Sequence, residues 1–402
     1  MINEFLQFVF WLAFGLIVYV YIAFPAFLFL LARFLPKHEK PGHPVHPAVS
    51  LVISAHNERH VIRAKLHNSL LLTYPRELLQ VILVSDCSDD GTDEVVREFA
   101  PQGVVLVRQK ERLGKSAGLN LALPACTGSV VVFSDANAIY QPDAITKLVT
   151  HFDDPAVGYV VGNACYVESK GGTPSAKSEG LYWKLETWLK QNESQFGSLV
   201  GGDGAIYAIR RHLYSPLRPT DINDLLNPLQ IILQGYRGVY ERLAVCTEEA
   251  GNSFEKEFRR KIRIVGRSLN AVRRAARVLL PWNNPRHWFA LVSHKLLRWF
   301  VPVFLLVLFF TSVALSHVAF YRYATYLQAF FYSLAMLGWA VEKRAASPKL
   351  LYISYYFCLV NLASLFGIVQ LCRGALSPTW KTIRDDARAP ENSSTPLVGG
   401  ES

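Results

Sequence analysis

Asp135 and Asn137 stand two residues apart, directly after the apolar run Ser129–Phe133. They offer a carboxylate and an amide oxygen. Hard divalent cations take oxygen ligands and commonly bridge substrate phosphates. The pair could seat such an ion if phosphate oxygens complete its shell, although an aspartate at a strand end also serves as a turn or cap residue. Asp86 ends another apolar run. Its carboxylate could accept hydrogen bonds from a base or ribose, or simply close a turn. Lys115, in Arg112-Leu-Gly-Lys-Ser-Ala-Gly-Leu-Asn120, could offset phosphate charge; an exposed lysine is otherwise merely solvated. Asp221 and Asp224 precede an apolar helix carrying Leu229, Ile232 and Leu233. A carboxylate there could take a proton from an incoming hydroxyl or cap the helix. Tyr182, Trp183 and Trp188 fall on a helical stretch where rings could stack on sugars or fill a core.

These groups need a frame. Val49–Ala55 is a short β-branched run that reads as a buried strand. Asn57 is expected to cap a helix that turns Val61, Ile62, Leu66 and Leu70 inward. Gln80–Ser85 is a second strand. Its separation from the first, about 30 residues, is that of a βαβ unit with a parallel pair. Val104–Val107 and Ser129–Phe133 complete the series, which predicts an open, mostly parallel α/β sheet. Such sheets bind ligands beyond the carboxyl ends of their strands, where His56-Asn57-Glu58, Asp86 and Asp135-Ala136-Asn137 fall. GxGxxG and GxxxxGK[ST] are absent, which argues against a dinucleotide fold and a P-loop.

The 402 residues are 51% hydrophobic and 18% charged, against roughly 45–50% and 25% in soluble domains. That balance leans toward lipid and excludes disorder, a collagen-like chain and a disulfide scaffold. The six cysteines form no CxxC pair, which speaks against a zinc ribbon and fits a reducing compartment. Phe5–Leu35 carries only Arg33 and is long enough to span a bilayer. It lacks the basic start and small-residue cleavage site of a signal peptide, so it reads as an uncleaved anchor. Arg33, Lys37, His38 and Lys40 place the following region in the cytosol. Three further apolar runs cover Trp299–Phe320, Tyr323–Val341 and Leu350–Leu371. Lys343, Arg344 and Lys349 favour a cytosolic loop, and Arg373, Lys381, Arg384 and Arg388 favour a cytosolic tail. With four spans, that tail requires one run to be re-entrant or interfacial. The net charge of +10 gathers partly between Lys256 and Arg277, among Phe258, Ile262, Val265, Leu269, Val272, Ala276 and Leu279. This pattern is a basic amphipathic helix, either on a membrane surface or solvated against the core, and not a nucleic-acid patch.

Four segments then stand in order: Ser50-Leu-Val-Ile-Ser-Ala-His-Asn-Glu58, Val84-Ser-Asp-Cys-Ser-Asp-Asp-Gly-Thr92, Gly114-Lys-Ser-Ala-Gly-Leu-Asn120 and Phe133-Ser-Asp-Ala-Asn137. Together they resemble the opening of family 2 glycosyltransferases, the GT-A group that includes cellulose, hyaluronan and poly-N-acetylglucosamine synthases. Gly201–Arg210 resembles their acceptor-side segment, and Ile222-Asn-Asp224 stands where they carry a base motif. The resemblance implies a GT-A domain flanked by transmembrane helices. It implies that Glu58 and Asp86 hold the nucleoside and that Lys115 lies near it or its diphosphate. Asp135 would be the first residue of the DxD motif, with Asn137 beside it on a Mg2+ or Mn2+ ion. Arg263 would bind substrate, and Asp224 would be the base of an inverting transfer. The expected donor is a nucleotide-diphosphate sugar, taken as uridine-linked, and the acceptor a lipid-linked or polysaccharide molecule.

The chain departs from the pattern twice. Asn137 replaces the second aspartate, and Arg260-Lys-Ile-Arg263-Ile264 keeps only the arginine of QxxRW. Loss of the glutamine and tryptophan favours transfer of one or a few sugars over processive synthesis. A non-catalytic nucleotide-sugar-binding subunit is the third reading. The expected division is an anchor at 1–40, a cytosolic GT-A domain at 41–250, amphipathic interfacial helices at 251–290, transmembrane helices at 291–372 and a polar tail at 373–402. That is a multi-pass protein of the inner or plasma membrane, in contact with its lipids.

Overall fold

The computed structural model describes residues 1–34, 46–167, 174–197, 199–249, 253–341 and 348–379. Lys37, His38, Lys40, Lys343, Arg344, Lys381, Arg384 and Arg388 lie outside them, as does the side chain of Tyr182.

Eight strands form one sheet: β1 Val49–Ala55, β2 Leu79–Ser85, β3 Val104–Arg108, β4 Val130–Asp135, β5 Ile139–Tyr140, β6 Val157–Val167, β7 Tyr207–Arg210 and β8 Arg237–Glu249. Their order is β3-β2-β1-β4-β7-β6-β8-β5. The first four are parallel, as the spacing predicts. They are buried on both faces because successive side chains alternate. Leu51, Ile53, Val81 and Leu83 fill one core, while Val52, Ile82, Val131 and Phe133 fill the other. Beyond β4 the sheet is mixed: β7 is antiparallel to both β4 and β6, and β6 is parallel to β8.

Register brings the polar strand ends together. Ala55 pairs with Ser85 and Ser54 with Asp135, so the residues after β1, β2 and β4 open at one edge. Helix α1 (Arg59–Leu70) starts there, but Asn57 does not cap it. Asn57 has a left-handed backbone, with φ 56°, and its side-chain oxygen instead accepts from Asp89 N at 3.0 Å. The amide ties two strand-end loops together rather than satisfying the helix. Helix α2 (Lys115–Ala122) starts at the same edge.

On the other half, α3 (Pro174–Phe196), α4 (Asn223–Leu233) and α5 (Phe254–Arg274) cover the sheet. Pro285–Ala314 and Lys349–Cys372, here α6 and α8, join Ile2–Phe34 as the three described helices long and apolar enough to cross a membrane. Ala319–Ala340 (α7) is helical but is not one of them. Arg322, Gln328 and its tyrosines dilute the apolar run expected at 323–341. Helix α8 packs along α5: Phe254 meets Tyr355, Phe258 meets Phe366, and Gly266 meets Gly367. A β-carbon on Gly367 would stand 2.9 Å from the Ile262 carbonyl oxygen, so a glycine permits that approach.

Asp221 anchors the turn before α4. It is fully buried and accepts from Arg218 N, Asn270 and Arg274. Breaking a buried pair leaves an uncompensated charge, at a cost of about 3–5 kcal/mol. Arg274 keeps some water, so Asp221→Ala should cost roughly the lower of those values. A lowered unfolding midpoint in detergent, read by intrinsic fluorescence, is the expected result.

Candidate active site

Glu58, Asp86, Lys115, Asp135, Asn137 and Arg263 all line one cavity of about 550 Å³ above the strand ends. Each of these sequence-predicted residues therefore reaches a common space. Asp224 lines a second cavity of about 450 Å³. Arg260 lines both cavities, and charged groups of the two approach one another at Gly204. A β-carbon there would lie 3.4 Å from Asp224 Oδ2, 3.4 Å from Lys115 Nζ and 3.5 Å from Asp135 Oδ2. Three charged groups thus converge where a side chain is missing, with one carboxylate oxygen each of Asp135 and Asp224 within 3.5 Å of that position.

Lys115 is the first residue of α2 and donates to Asp135 Oδ1 at 2.5 Å and to the Gly204 carbonyl at 3.2 Å. Asp86 is more occupied than a free ligand would be. Its Oδ1 accepts from Gln109 Nε2, Leu113 N and Gly114 N at 2.7–3.0 Å, and its Oδ2 from Gly114 N at 3.1 Å. The carboxylate therefore holds the loop that delivers Lys115, and Oδ2 is its less crowded oxygen. Gly114 has φ 89° and supplies the turn into α2.

Burial pushes the Asp224 carboxyl above its ordinary range. Asp203 and Asp135 add to that rise, while Lys115 and Lys190 oppose it. Glu248, at the same cavity wall as Asp135, is raised to about 8 by burial, then by Asp135 and Asp203. Opposite these acids, Lys256, Arg260, Arg263 and Arg267 of α5 line the first cavity. Burial, then Arg267 and Arg260, lowers Arg263 to about 9, which leaves it cationic at neutral pH. Sequence reasoning sets these cations on a membrane surface or in solvent. They turn to the cavity because α8 covers the apolar side of α5. Arg267 also donates to the Ser377 and Pro378 carbonyls, which brings the segment after α8 against the cavity.

The second cavity runs from Asp224 toward the apolar helices. Tyr21, Trp183, Trp299, Ile353, Phe357 and Val360 line it. Trp183 stacks on Tyr166 at 4.8 Å, whereas Trp188 stacks on Phe29 of the first apolar helix. Lys190 pairs with Asp203 at 3.0 Å beside Asp224. Asp203, Gly204, Lys190 and Glu248 carry no role in the sequence reading. Asp203 and Gly204 fall within the segment 201–210 that it singles out, but their partners come from other elements.

Asp135 and Asn137 are oxygen donors on one wall, as a hard cation needs. Among the described residues no three His, Cys, Asp or Glu side chains converge into a metal cage. The donor set therefore fits a cation only if diphosphate oxygens or water fill its remaining positions.

Residues 50–217 match the family model described as "Glycosyl transferase family 2". The chain is 26% identical over 228 residues to a probable glycosyltransferase, YdaM, of Bacillus subtilis, covering 54% of each protein. It is 24% identical over 204 residues to poly-beta-1,6-N-acetyl-D-glucosamine synthase of Staphylococcus aureus, covering 49% of each. The chain thus spans about half the length of these curated relatives. In fold it is similar to a mannosyltransferase of Pyrobaculum calidifontis solved with GDP-Man and Mn2+. That likeness has a TM-score of 0.69 at 23% identity and covers 90% of this chain and 99% of the other. The sheet, the ordered strand-end motifs and the family match agree: residues 50–217 form a glycosyl transferase family 2 domain, and the fold is GT-A.

Proposed function

We propose that the protein is a membrane-bound inverting glycosyltransferase that moves a sugar from a nucleotide-diphosphate donor to a lipid-linked or polysaccharide acceptor. The convergence of Lys115, Asp135 and Asp224 around Gly204 carries this reading. The first cavity is the donor site. Glu58 and the remaining capacity of Asp86 take the nucleoside, which we assign as uridine. Lys115, Arg263 and Arg267 take the diphosphate charge. Asp135 and Asn137 would hold a Mg2+ or Mn2+ ion, which stabilises the departing diphosphate when bound.

The second cavity is the acceptor site. Asp224 accepts the proton of the acceptor hydroxyl as its oxygen bonds to the anomeric carbon. The bond to the diphosphate breaks, Lys115 and Arg263 meet the charge that leaves, and one displacement inverts the centre. The apolar wall of this cavity suits an acceptor with a lipid portion. Arg33 and the basic residues after it support a cytosolic active site, and three apolar helices support a multi-pass protein of the inner or plasma membrane. A processive synthase is the second reading, favoured by the aromatic lining that leads from Asp224 to those helices. Product length from purified protein separates the two: one or a few sugars supports the first, and a polymer ladder supports the second.

Asp224→Asn should lower kcat by about 10²–10⁴ while donor binding stays within twofold, measured by released nucleotide and by calorimetry. Full transfer by this variant would remove Asp224 as the base. The base works ionised, and its pKa is raised. Activity should therefore fall on the acid side at a pH above the ordinary carboxylate range, and recover as pH rises. Lys115→Met should weaken donor binding and lower kcat together, since its charge meets the diphosphate both before and after the bond breaks.

A further inference from the structure

Lys65 is a lysine in the wrong environment for a solvated charge. It lies on α1 with 0% exposure, and among the described residues no carboxylate forms an ion pair with it. Its ammonium donates to the Ala138 carbonyl and sits 3.9 Å from the centroid of the Tyr140 ring. One helical turn on, Asn68 grips the same segment from both sides: Nδ2 donates to Tyr140 O, and Oδ1 accepts from Tyr140 N, each at 2.8 Å. The Tyr140 hydroxyl then donates to Ala205 O at 3.0 Å, next to Gly204. The clamped segment begins with a turn in which Ala138 N donates to Asp135 O at 3.2 Å. That turn carries both Asp135 and Asn137.

Burying an ammonium costs several kcal/mol, and an apolar residue of similar size is often no worse for stability. The fold alone therefore gives little reason to keep a charge here. Burial lowers Lys65 to about 7, with Cys246, Asp135 and Glu248 raising it back.

We propose that Lys65, together with Asn68, is a positioning residue for the reaction: it fixes the Asp135–Asn137 turn so that the carboxylate and amide oxygens face one cation and the diphosphate. The inference rests on the reading of Asp135 and Asn137 as the cation's protein ligands. Lys65 touches neither substrate nor ion. It acts through the Ala138 carbonyl, and Asn68 acts through the Tyr140 backbone.

The test is binding, without turnover. Mn2+ affinity is measured by electron paramagnetic resonance on the full-length protein in detergent with saturating UDP. UDP affinity is measured separately in EDTA. Lys65→Met should weaken Mn2+ binding about tenfold and leave metal-free UDP binding within twofold, because Glu58 and Asp86 sit on other loops. Asn68→Ala should do the same and serves if Lys65→Met does not fold. Unchanged Mn2+ affinity in folded variants, with only a lowered unfolding midpoint, would make the clamp merely structural and overturn the proposal. Asp135→Asn is the control. If it weakens Mn2+ binding while the clamp variants do not, the inference alone fails. If it too leaves Mn2+ binding unchanged, the cation reading fails and the clamp fails with it.

Discussion

The site depends on bringing like charges close without letting them repel the fold apart. Asp135, Asp224 and Lys115 converge on Gly204, and Lys115 donates to Asp135. Burial raises the proton affinity of Asp224, Asp203 and Asp135 add to that rise, and Lys115 opposes it. A β-carbon on Gly204 would stand within 3.5 Å of all three groups, so the missing side chain leaves them room to meet. Much of the surrounding architecture holds these groups in place. Asp86 gathers the loop that delivers Lys115. Asp221 fixes the turn that delivers Asp224. Lys190 pairs with Asp203, the next acid along.

The sheet explains how residues from distant parts of the chain reach that point. Parallel strands β1, β2 and β4 end at one edge, each followed by a polar loop. The switch to antiparallel pairing at β7 then brings the Gly201–Gly204 segment against that edge from the opposite direction. A purely parallel sheet would supply the Asp86 and Asp135 side of the site and lack the other half. Helix α5 closes the arrangement with cations, and α8 closes α5. Charge on α5 is thus turned inward, toward a cavity already lined by acids.

The first half of this fold was legible in the sequence. β1 to β4 are short, β-branched and bounded by turn residues, and their parallel spacing holds within a residue or two. The polar strand ends follow from that. The second half was not. β6 is a nearly continuous apolar run broken by glycines and β8 is a long strand of mixed polarity, so neither alternates clearly, and β7 is only four residues long, next to a glycine-rich turn. The cations of α5 show a related limit. Periodicity identifies an apolar face and a charged face but not what each will meet, and here α8 takes the first and a cavity takes the second. Lys65 lies on a helix of low apolar character, beside arginine and histidines, and nothing in its spacing distinguishes it from a solvated lysine. Its burial depends on Tyr140, 75 residues away in the chain.

A single displacement at one centre is the claim on which the account stands, and the stereochemistry of the first product measures it most directly. Proton NMR of the earliest glycoside formed from a donor of known anomeric configuration reads it without assumptions about rate or affinity. The account predicts the opposite configuration in the product, because the acceptor oxygen approaches from the Asp224 side while the diphosphate leaves from the Asp135 side. A product that keeps the donor's configuration would require a second displacement or a front-side path, and would contradict the roles proposed for the two aspartates.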